Sequence, residues 1–178
     1  MRLFVALDLP DGVVAALSSW AAAVERPGLR VLPPSSYHVT LAFLGERPDG
    51  EAEAIGAAVV AAAGAEAVSP LALAAPAWLG RRSVLAVDLH DASGALVALQ
   101  RRLSDALVAL DVFEPEQRAF RPHVTLARVR RGARPARDLP DAPALDPFAA
   151  TAVTLYRSTL SPRGASYAPL ARAELPRP

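Results

Sequence analysis

Two copies of one pentapeptide carry the residues best suited to chemistry. HVTLA begins at His38 and again at His123, although the chain of 178 residues contains only three histidines. On a β-strand, side chains two positions apart point to the same face. Each copy is therefore predicted to place an imidazole beside a hydroxyl, His38 with Thr40 and His123 with Thr125. The valine and leucine of each copy are predicted to face the core.

The chemistry that fits these residues is acid–base catalysis on a phosphate. Histidine exchanges protons near neutral pH, and two histidines in opposite protonation states can act as acid and base in one step. Threonine hydroxyls can donate hydrogen bonds to the oxygens of a phosphate and of its transition state. His123 lies 85 positions after His38, close to half the chain. If two similar lobes pack about an approximate two-fold axis, both polar pairs face one cleft.

A metal site and a serine hydrolase are the competing interpretations of the histidines. A closed metal site needs about four donors, and no cysteine, HExxH motif or carboxylate stands at ligand spacing. Ser35 and Ser36 lie in a proline-broken loop, and the chain has no GxSxG motif. A recurrence without activity, by chance or as a relic of duplication, is the remaining alternative. The third histidine, His90, is interpreted as a structural or surface residue.

Composition excludes several reaction classes and compartments. The net charge is +1, and all 19 basic residues are arginine. Without lysine there is no P-loop lysine, Schiff base or lysyl-nucleotidyl intermediate. Without cysteine there is no disulfide, thiolate nucleophile or zinc–thiolate site. No apolar run reaches the length of a membrane span, and the N-terminal run is too short for a signal peptide. We expect a cytoplasmic, monomeric protein with no membrane partner.

Strands and helices alternate in the pattern around the motifs. Alternating or helical spacing predicts strands near 2–9, 28–32, 37–44, 69–79, 83–90 and 120–129, helices near 11–25, 49–63 and 94–110, and two C-terminal strands around an SPRG turn. Asp49 is predicted to cap the second helix, and Asp91 or Ser93 the third. A long loop is expected from 130 to 147. Residues 1–178 then form one α+β domain of two lobes, which are not visibly alike outside the pentapeptide.

The paired motifs with their flanks resemble the 2H phosphoesterase superfamily, and within it the bacterial RNA 2',3'-cyclic phosphodiesterases, historically called 2'-5' RNA ligases. The likeness covers nearly the whole chain, through RLFVALDLP, HVTLAFLGE, FRPHVTLAR and STLSPRGASYAPLARAEL. It implies a bilobal fold of two pseudo-symmetric lobes, with antiparallel sheets lining a central cleft and helices outside. It also implies catalysis without a metal or another cofactor.

The resemblance further implies a reaction and roles for matching positions. The family opens a 2',3'-cyclic phosphate at an RNA end and leaves a 2'-phosphate, so RNA ends or nucleotides with such a phosphate are the expected partners. His38 would be the proton donor and His123 the proton acceptor, while Thr40 and Thr125 would hold non-bridging oxygens. The family's arginine after the second motif corresponds to Arg128.

Two arginines compete for the phosphate because of strand alternation. Without lysine, the charge of the phosphorane must be met by arginine, hydroxyls or backbone amides. Strict alternation places Arg128 on the face opposite His123, and Arg121 on the His123 face. Either the strand bulges or ends before Arg128, or Arg121 shares its role.

The terminal base is expected to stack on aromatic side chains. Stacking accepts any base, and Phe4 and Tyr167 are the candidates, with core packing as the alternative for both. Tyr37 shares the Val39 face and is predicted to lie in the core.

Two alternative functions remain open. The same histidines could catalyse the reverse reaction, an ATP-independent 2'-5' ligation of RNA ends. A non-catalytic nucleotide- or RNA-binding module on the same fold is the other.

Overall fold

The computed structural model describes residues 1–64, 67–136, 138–162 and 164–177. Within these ranges the chain forms eight β-strands and three α-helices. In chain order they are β1 (Arg2–Asp8), α1 (Asp11–Ala23), β2 (Leu29–Val31), β3 (Val39–Glu46), α2 (Ala52–Ala63), β4 (Leu71–Leu79), β5 (Val84–Asp91), α3 (Ala95–Ala109), β6 (His123–Val129), β7 (Ala152–Ser161) and β8 (Gly164–Glu174). Every strand and helix predicted from the pattern is present. Arg163, in the predicted turn between the last two strands, lies outside the described residues.

The predicted N-terminal caps are present at one helix and absent at another. At α3 the Val97 N–H donates to Asp91 Oδ2 at 3.0 Å, and the Ala95 N–H donates to Ser93 Oγ at 3.2 Å, so both candidates satisfy first-turn donors. The predicted Asp49 cap is wrong. Asp49 begins a short 3-10 turn before α2, and its Oδ1 accepts a hydrogen bond from the N-terminal ammonium at 3.3 Å.

All strand pairings are antiparallel. The strand order is β4-β5-β6-β3-β1-β7-β8, with β2 also paired to β6. The α+β fold with helices on one side is confirmed. The antiparallel sheets expected for the two lobes are continuous with each other, because β3 and β6 are joined through the pair Val39–Val124. That junction lies inside both copies of HVTLA.

The two lobes repeat the expected order of elements and also share a second stretch of sequence, which was not predicted. A strand, a helix and an antiparallel neighbouring strand recur as β1–α1–β3 and β5–α3–β6. The first strands align as VALDLPD, residues 5–11, and LAVDLHD, residues 85–91, identical at four of seven positions. Their registers correspond, because Leu7 pairs with Val39 and Val87 pairs with Val124. The lobes are therefore alike beyond the pentapeptide.

The helices and one face of the sheet enclose the main core. Leu7, Val39 and Val124 belong to the same buried cluster as Leu17 of α1 and Leu99 of α3. Residues at the intervening strand positions lie on the opposite face, which lines the cleft. Tyr37 is 6% exposed and belongs to the core cluster, as predicted.

Two further observations concern chain segments away from the cleft. The stretch predicted as a loop forms no helix or strand in its described part, and Trp20 Nε1 holds it by donating to the Asp141 carbonyl at 2.7 Å. None of the described helices is both long enough and apolar enough to cross a membrane.

Candidate active site

The junction of β3 and β6 brings the two histidine motifs together. Val39 and Val124 pair directly and point into the core. In an antiparallel pair, the positions on either side of such a residue face the other way. His38 therefore lies beside Thr125, and Thr40 lies beside His123, on the cleft face. The four side chains form one group about the approximate two-fold axis.

Each histidine is held by the backbone two residues before it. His123 Nδ1 lies 2.8 Å from the Arg121 carbonyl, and His38 makes a hydrogen bond with the backbone of Ser36. When Nδ1 of His123 donates to the carbonyl, Nε2 is the nitrogen that can accept or release a proton in the cleft. The repeated sequence thus repeats the way in which the imidazole is anchored.

The surroundings of His38 are aromatic. Its ring centroid lies 5.0 Å from that of Phe4, 5.5 Å from Tyr167 in an edge arrangement, and 6.4 Å from Tyr156. Burial and, to a smaller extent, the charge of His123 lower the pKa of His38 to about 4, although the backbone hydrogen bond to Ser36 acts in the opposite direction. His38 is therefore neutral at pH 7 in the free protein.

The predicted stacking residues lie in this aromatic cluster. Phe4 is only 4% exposed because its ring stacks on Tyr156 at 5.4 Å and contacts the edge of Tyr167 at 4.9 Å. Phe4 thus packs beneath the cluster, as expected if it belongs to the core rather than stacking on the terminal base. Tyr167 is partly exposed at the cleft. Tyr156 was missed, although alternation along the first of the two predicted C-terminal strands was the signal that could have found it.

Asp8 fixes the outer side of the cluster. Tyr156 Oη donates to Asp8 Oδ1 at 2.9 Å, and Thr154 Oγ1 donates to Asp8 Oδ2 at 2.8 Å. Arg172 Nη1 is 3.3 Å from Asp8 Oδ2. Burial, followed by the charge of Asp8, raises the pKa of Tyr156 to about 12. Tyr156 therefore remains a hydrogen-bond donor and its ring stays in place beside Phe4.

The guanidinium of Arg121 binds a neighbouring carboxylate. Asp88 is the cross-strand partner of His123 on β5. Arg121 Nη2 donates to Asp88 Oδ2 at 2.6 Å, and Arg121 Nε donates to Asp88 Oδ1 at 3.0 Å. These bonds raise the pKa of Arg121. In this arrangement Nε and Nη2 of Arg121 bind Asp88, so the expectation that Arg121 shares the phosphate stays a prediction.

Arg128 reaches the histidine face through a bulge. On β6, Thr125 pairs with Ala86 and Ala127 pairs with the very next residue of β5, Leu85, so one residue is inserted. Leu126 and Ala127 are consequently both buried. Arg128 then pairs with Val84. Directly opposed residues share a face, and alternate β5 positions share one too, so Arg128 lies on the same face as His123.

The arrangement suits a phosphate group. On one face of the sheet it places two imidazoles, which can transfer protons, two hydroxyls, which can donate hydrogen bonds, and the positive charge of Arg128. A cavity of about 350 Å³ lined by Met1, Arg2, Glu46 and Arg157 lies at the far end of β1, and it includes neither histidine. Among the described residues no three His, Cys, Asp or Glu side chains cluster as a metal site requires.

Comparison with known sequences gives consistent matches. A family model described as the 2'-5' RNA ligase superfamily matches residues 9–159. An RNA 2',3'-cyclic phosphodiesterase of Geobacillus stearothermophilus is 31% identical over 166 residues, 88% of this chain and 52% of that relative. An RNA 2',3'-cyclic phosphodiesterase of Thermus thermophilus is 31% identical over 186 residues, 98% of this chain and 90% of the relative. The chain spans about half the length of the first relative.

Solved structures match over nearly the full chain. The crystal structure of TT0787 of Thermus thermophilus gives a TM-score of 0.84 at 30% identity, covering 98% of this chain and 97% of that one. The crystal structure of E. coli LigT complexed with 3'-AMP gives a TM-score of 0.81 at 27% identity, covering 99% and 98%. These likenesses confirm the fold expected from the resemblance.

Proposed function

This chain belongs to the 2'-5' RNA ligase superfamily, and from that premise we propose that it hydrolyses the 2',3'-cyclic phosphate at an RNA end to a 2'-phosphate. The observation that carries the proposal is the junction Val39–Val124, because its register sets both histidine–threonine pairs side by side on the cleft face. The named activity of the two relatives supports it. RNA ends or nucleotides with a cyclic phosphate are the substrates, and the enzyme is proposed to be cytoplasmic and monomeric.

The proposed reaction needs one proton acceptor and one proton donor. Water attacks the phosphorus while one imidazole takes a proton from it. The bond between phosphorus and the 3'-oxygen breaks, and the other imidazole protonates that oxygen, leaving a 3'-hydroxyl and a 2'-phosphate. Thr40 and Thr125 donate hydrogen bonds to non-bridging oxygens, and Arg128 offsets the added negative charge of the phosphorane.

The resemblance assigns His38 as donor and His123 as acceptor. The low pKa of His38 favours the exchanged roles in the free protein, because a neutral imidazole accepts a proton and cannot donate one. A bound phosphate anion acts in the opposite direction, since it stabilises the protonated imidazole. The pH profile of kcat/KM does not distinguish the two, because exchanging the acid and the base changes the height of the profile and not its shape. A cyclic substrate with sulfur in place of the 3'-oxygen does, because a thiolate leaves without being protonated: the variant that lacks the acid should then recover most of the wild-type rate, and the variant that lacks the base should not.

The direct test is turnover of adenosine 2',3'-cyclic phosphate in EDTA, with the products separated chromatographically. We expect adenosine 2'-phosphate from the wild type. His38→Ala and His123→Ala should each lose at least ~10²-fold in kcat. His90→Ala is the matched control, because His90 is exposed on β5. Full activity in either active-site variant contradicts the proposal, and a 3'-phosphate product would mean that the other bond is cut.

The same experiment separates the alternatives. Joining of a cyclic phosphate end to a 5'-hydroxyl end would show that the reverse reaction is also catalysed, through the same histidines. Tight nucleotide binding without turnover would favour a binding module. Loss of activity in EDTA, restored by a divalent cation, would contradict the metal-independent mechanism.

A further inference from the structure

Two arginines stand directly opposite each other on the cleft face. Arg30 of β2 pairs with Arg128 of β6, and directly opposed residues share a face. The bulge in β6 puts that face on the His123 side. Like charges at directly opposed positions repel each other. Two arginine side chains on one face also raise the positive potential there, which favours an anionic ligand.

Arg30 also reaches across the cleft. A Cβ added to Gly164, at the start of β8, would lie 2.5 Å from Arg30 Nη2. In the strand order, β3, β1 and β7 separate β6 from β8. The guanidinium of Arg30 therefore crosses from one lobe to the hairpin of the other. A side chain at position 164 would displace the guanidinium, and the backbone of Gly164, with φ +129°, itself favours glycine.

We propose that Arg30 binds the phosphodiester on the 5' side of the terminal nucleotide, the linkage that joins it to the rest of the RNA. This inference rests on the proposed function. By backbone position, Arg128 lies two ladder steps, about 7 Å, from Thr125, and Arg30 lies on the adjacent strand, about 5 Å to the side of Arg128. From there the side chain of Arg30 extends towards Gly164, which puts its guanidinium in reach of an anion beyond the reacting phosphate. A 3'-terminal cyclic phosphate has its only further linkage at the 5'-oxygen.

Three substrates test the second anion site: adenosine 2',3'-cyclic phosphate, its 5'-phosphorylated form, and the dinucleotide ApA ending in the cyclic phosphate. For each, kcat/KM is measured with the wild type, Arg30→Gln, Arg30→Lys and the control Arg101→Gln on the exposed side of α3. We expect the dinucleotide to exceed the unphosphorylated nucleoside in the wild type. Arg30→Gln should lower that ratio ~10-fold, as expected for a charge-assisted hydrogen bond. Arg101→Gln should leave the ratio unchanged.

Salt dependence separates charge from packing. Removing one phosphate contact should reduce the slope of log kcat/KM for the dinucleotide against log salt by ~0.7. Arg30→Lys should retain most of this slope because it retains the charge. An equal loss on all three substrates in Arg30→Gln would instead assign Arg30 a structural role at Gly164 and overturn the proposal.

The failure of this inference differs from that of the proposed function. Equal kcat/KM values for nucleoside and dinucleotide in the wild type overturn the second site and leave the hydrolysis intact. No turnover of any substrate overturns the proposed function. Binding of the 2'-phosphorylated dinucleotide, measured by calorimetry, then still tests Arg30, and equal affinity of the wild type and Arg30→Gln overturns the site.

Discussion

The two HVTLA motifs share sequence, register and backbone anchoring, yet they lie in different surroundings. His38 is packed against Phe4, Tyr156 and Tyr167, whereas no ring contact joins His123 to an aromatic residue of the described chain. His123 instead lies opposite Asp88, which binds Arg121. The repeat therefore sets the geometry of the pair, and residues outside it give each imidazole its own environment.

The same contrast extends to the outer strands. Asp8 and Asp88 occupy equivalent positions in the second repeat. Asp8 accepts hydrogen bonds from Thr154 and Tyr156 of β7, on the side away from its histidine strand. Asp88 binds Arg121, which precedes β6 by two residues. Of the two equivalent aspartates, Asp8 thus stabilises the aromatic cluster in one lobe, and Asp88 stabilises the segment before β6 in the other. A reaction that needs one acid and one base gains from this inequality.

The largest loss of kcat is expected when both histidines are removed. His38→Ala combined with His123→Ala should lose about as much kcat as the more damaging single variant, within ~10²–10⁴. The reason is that groups acting as one unit are strongly non-additive. Turnover of the cyclic nucleotide measures this. Multiplication of the two single losses would show that the histidines act independently.

The threonines test whether the phosphate contacts are symmetric. Thr40→Val and Thr125→Val remove a hydroxyl with little change in shape. Each should reduce kcat ~10–100-fold, the range for a hydrogen bond to a charged group. Thr159→Val, at an exposed position of β7, is the control. A loss in only one of the two variants would show that the phosphate lies towards one lobe.

The environment of His38 should also be visible in the pH dependence of stability. Its pKa is lowered from 6.5 to about 4 by folding, so the unfolded chain binds more protons between these values. Stability from this group is full above pH 6.5 and is lost as the pH falls towards 4. Urea unfolding of the wild type and of His38→Gln at several pH values measures it. An identical pH dependence in both proteins would contradict the burial of His38.

The smallest effects compare the two aspartates. Asp8→Asn weakens bonds to two donors and an arginine in a largely buried place, and should lower the free energy of unfolding by about 2 kcal/mol. Asp88→Asn disturbs an ion pair whose arginine side chain is 55% exposed, and should lower it by less than ~1 kcal/mol. Both losses are measured by urea unfolding. Equal losses of unfolding free energy would show that the two aspartates stabilise their lobes to the same extent.

Much of the fold and the central site could be predicted because they depend on local pattern. Alternation placed the strands, and the pentapeptide located all four catalytic candidates. The bulge at Leu126 could be stated only as an alternative, because insertion of a residue depends on the register with β5. The Asp88–Arg121 pair was missed because its members are 33 positions apart and meet only across strands.

The second repeat and Tyr156 were missed for a different reason. VALD and LAVD exchange valine and leucine, which a strand accepts equally, so a search for identity found only the pentapeptide. Tyr156 follows a regular alternation, but its place beside His38 depends on β1, which pairs with β3 on one side and with β7 on the other. Long-range register therefore decided the details that the local pattern left open.

The single rung between β3 and β6 has a mechanical consequence. If the lobes rotate against each other to admit an RNA strand, the rotation would be centred on the Val39–Val124 pair. Residues farther from this pair would then move by larger distances. His38, Thr40, His123 and Thr125 stand next to this pair and keep their spacing. Arg30 and Gly164 lie farther from this pair and meet across the cleft, so widening of the cleft would separate them while the histidines and threonines stay aligned.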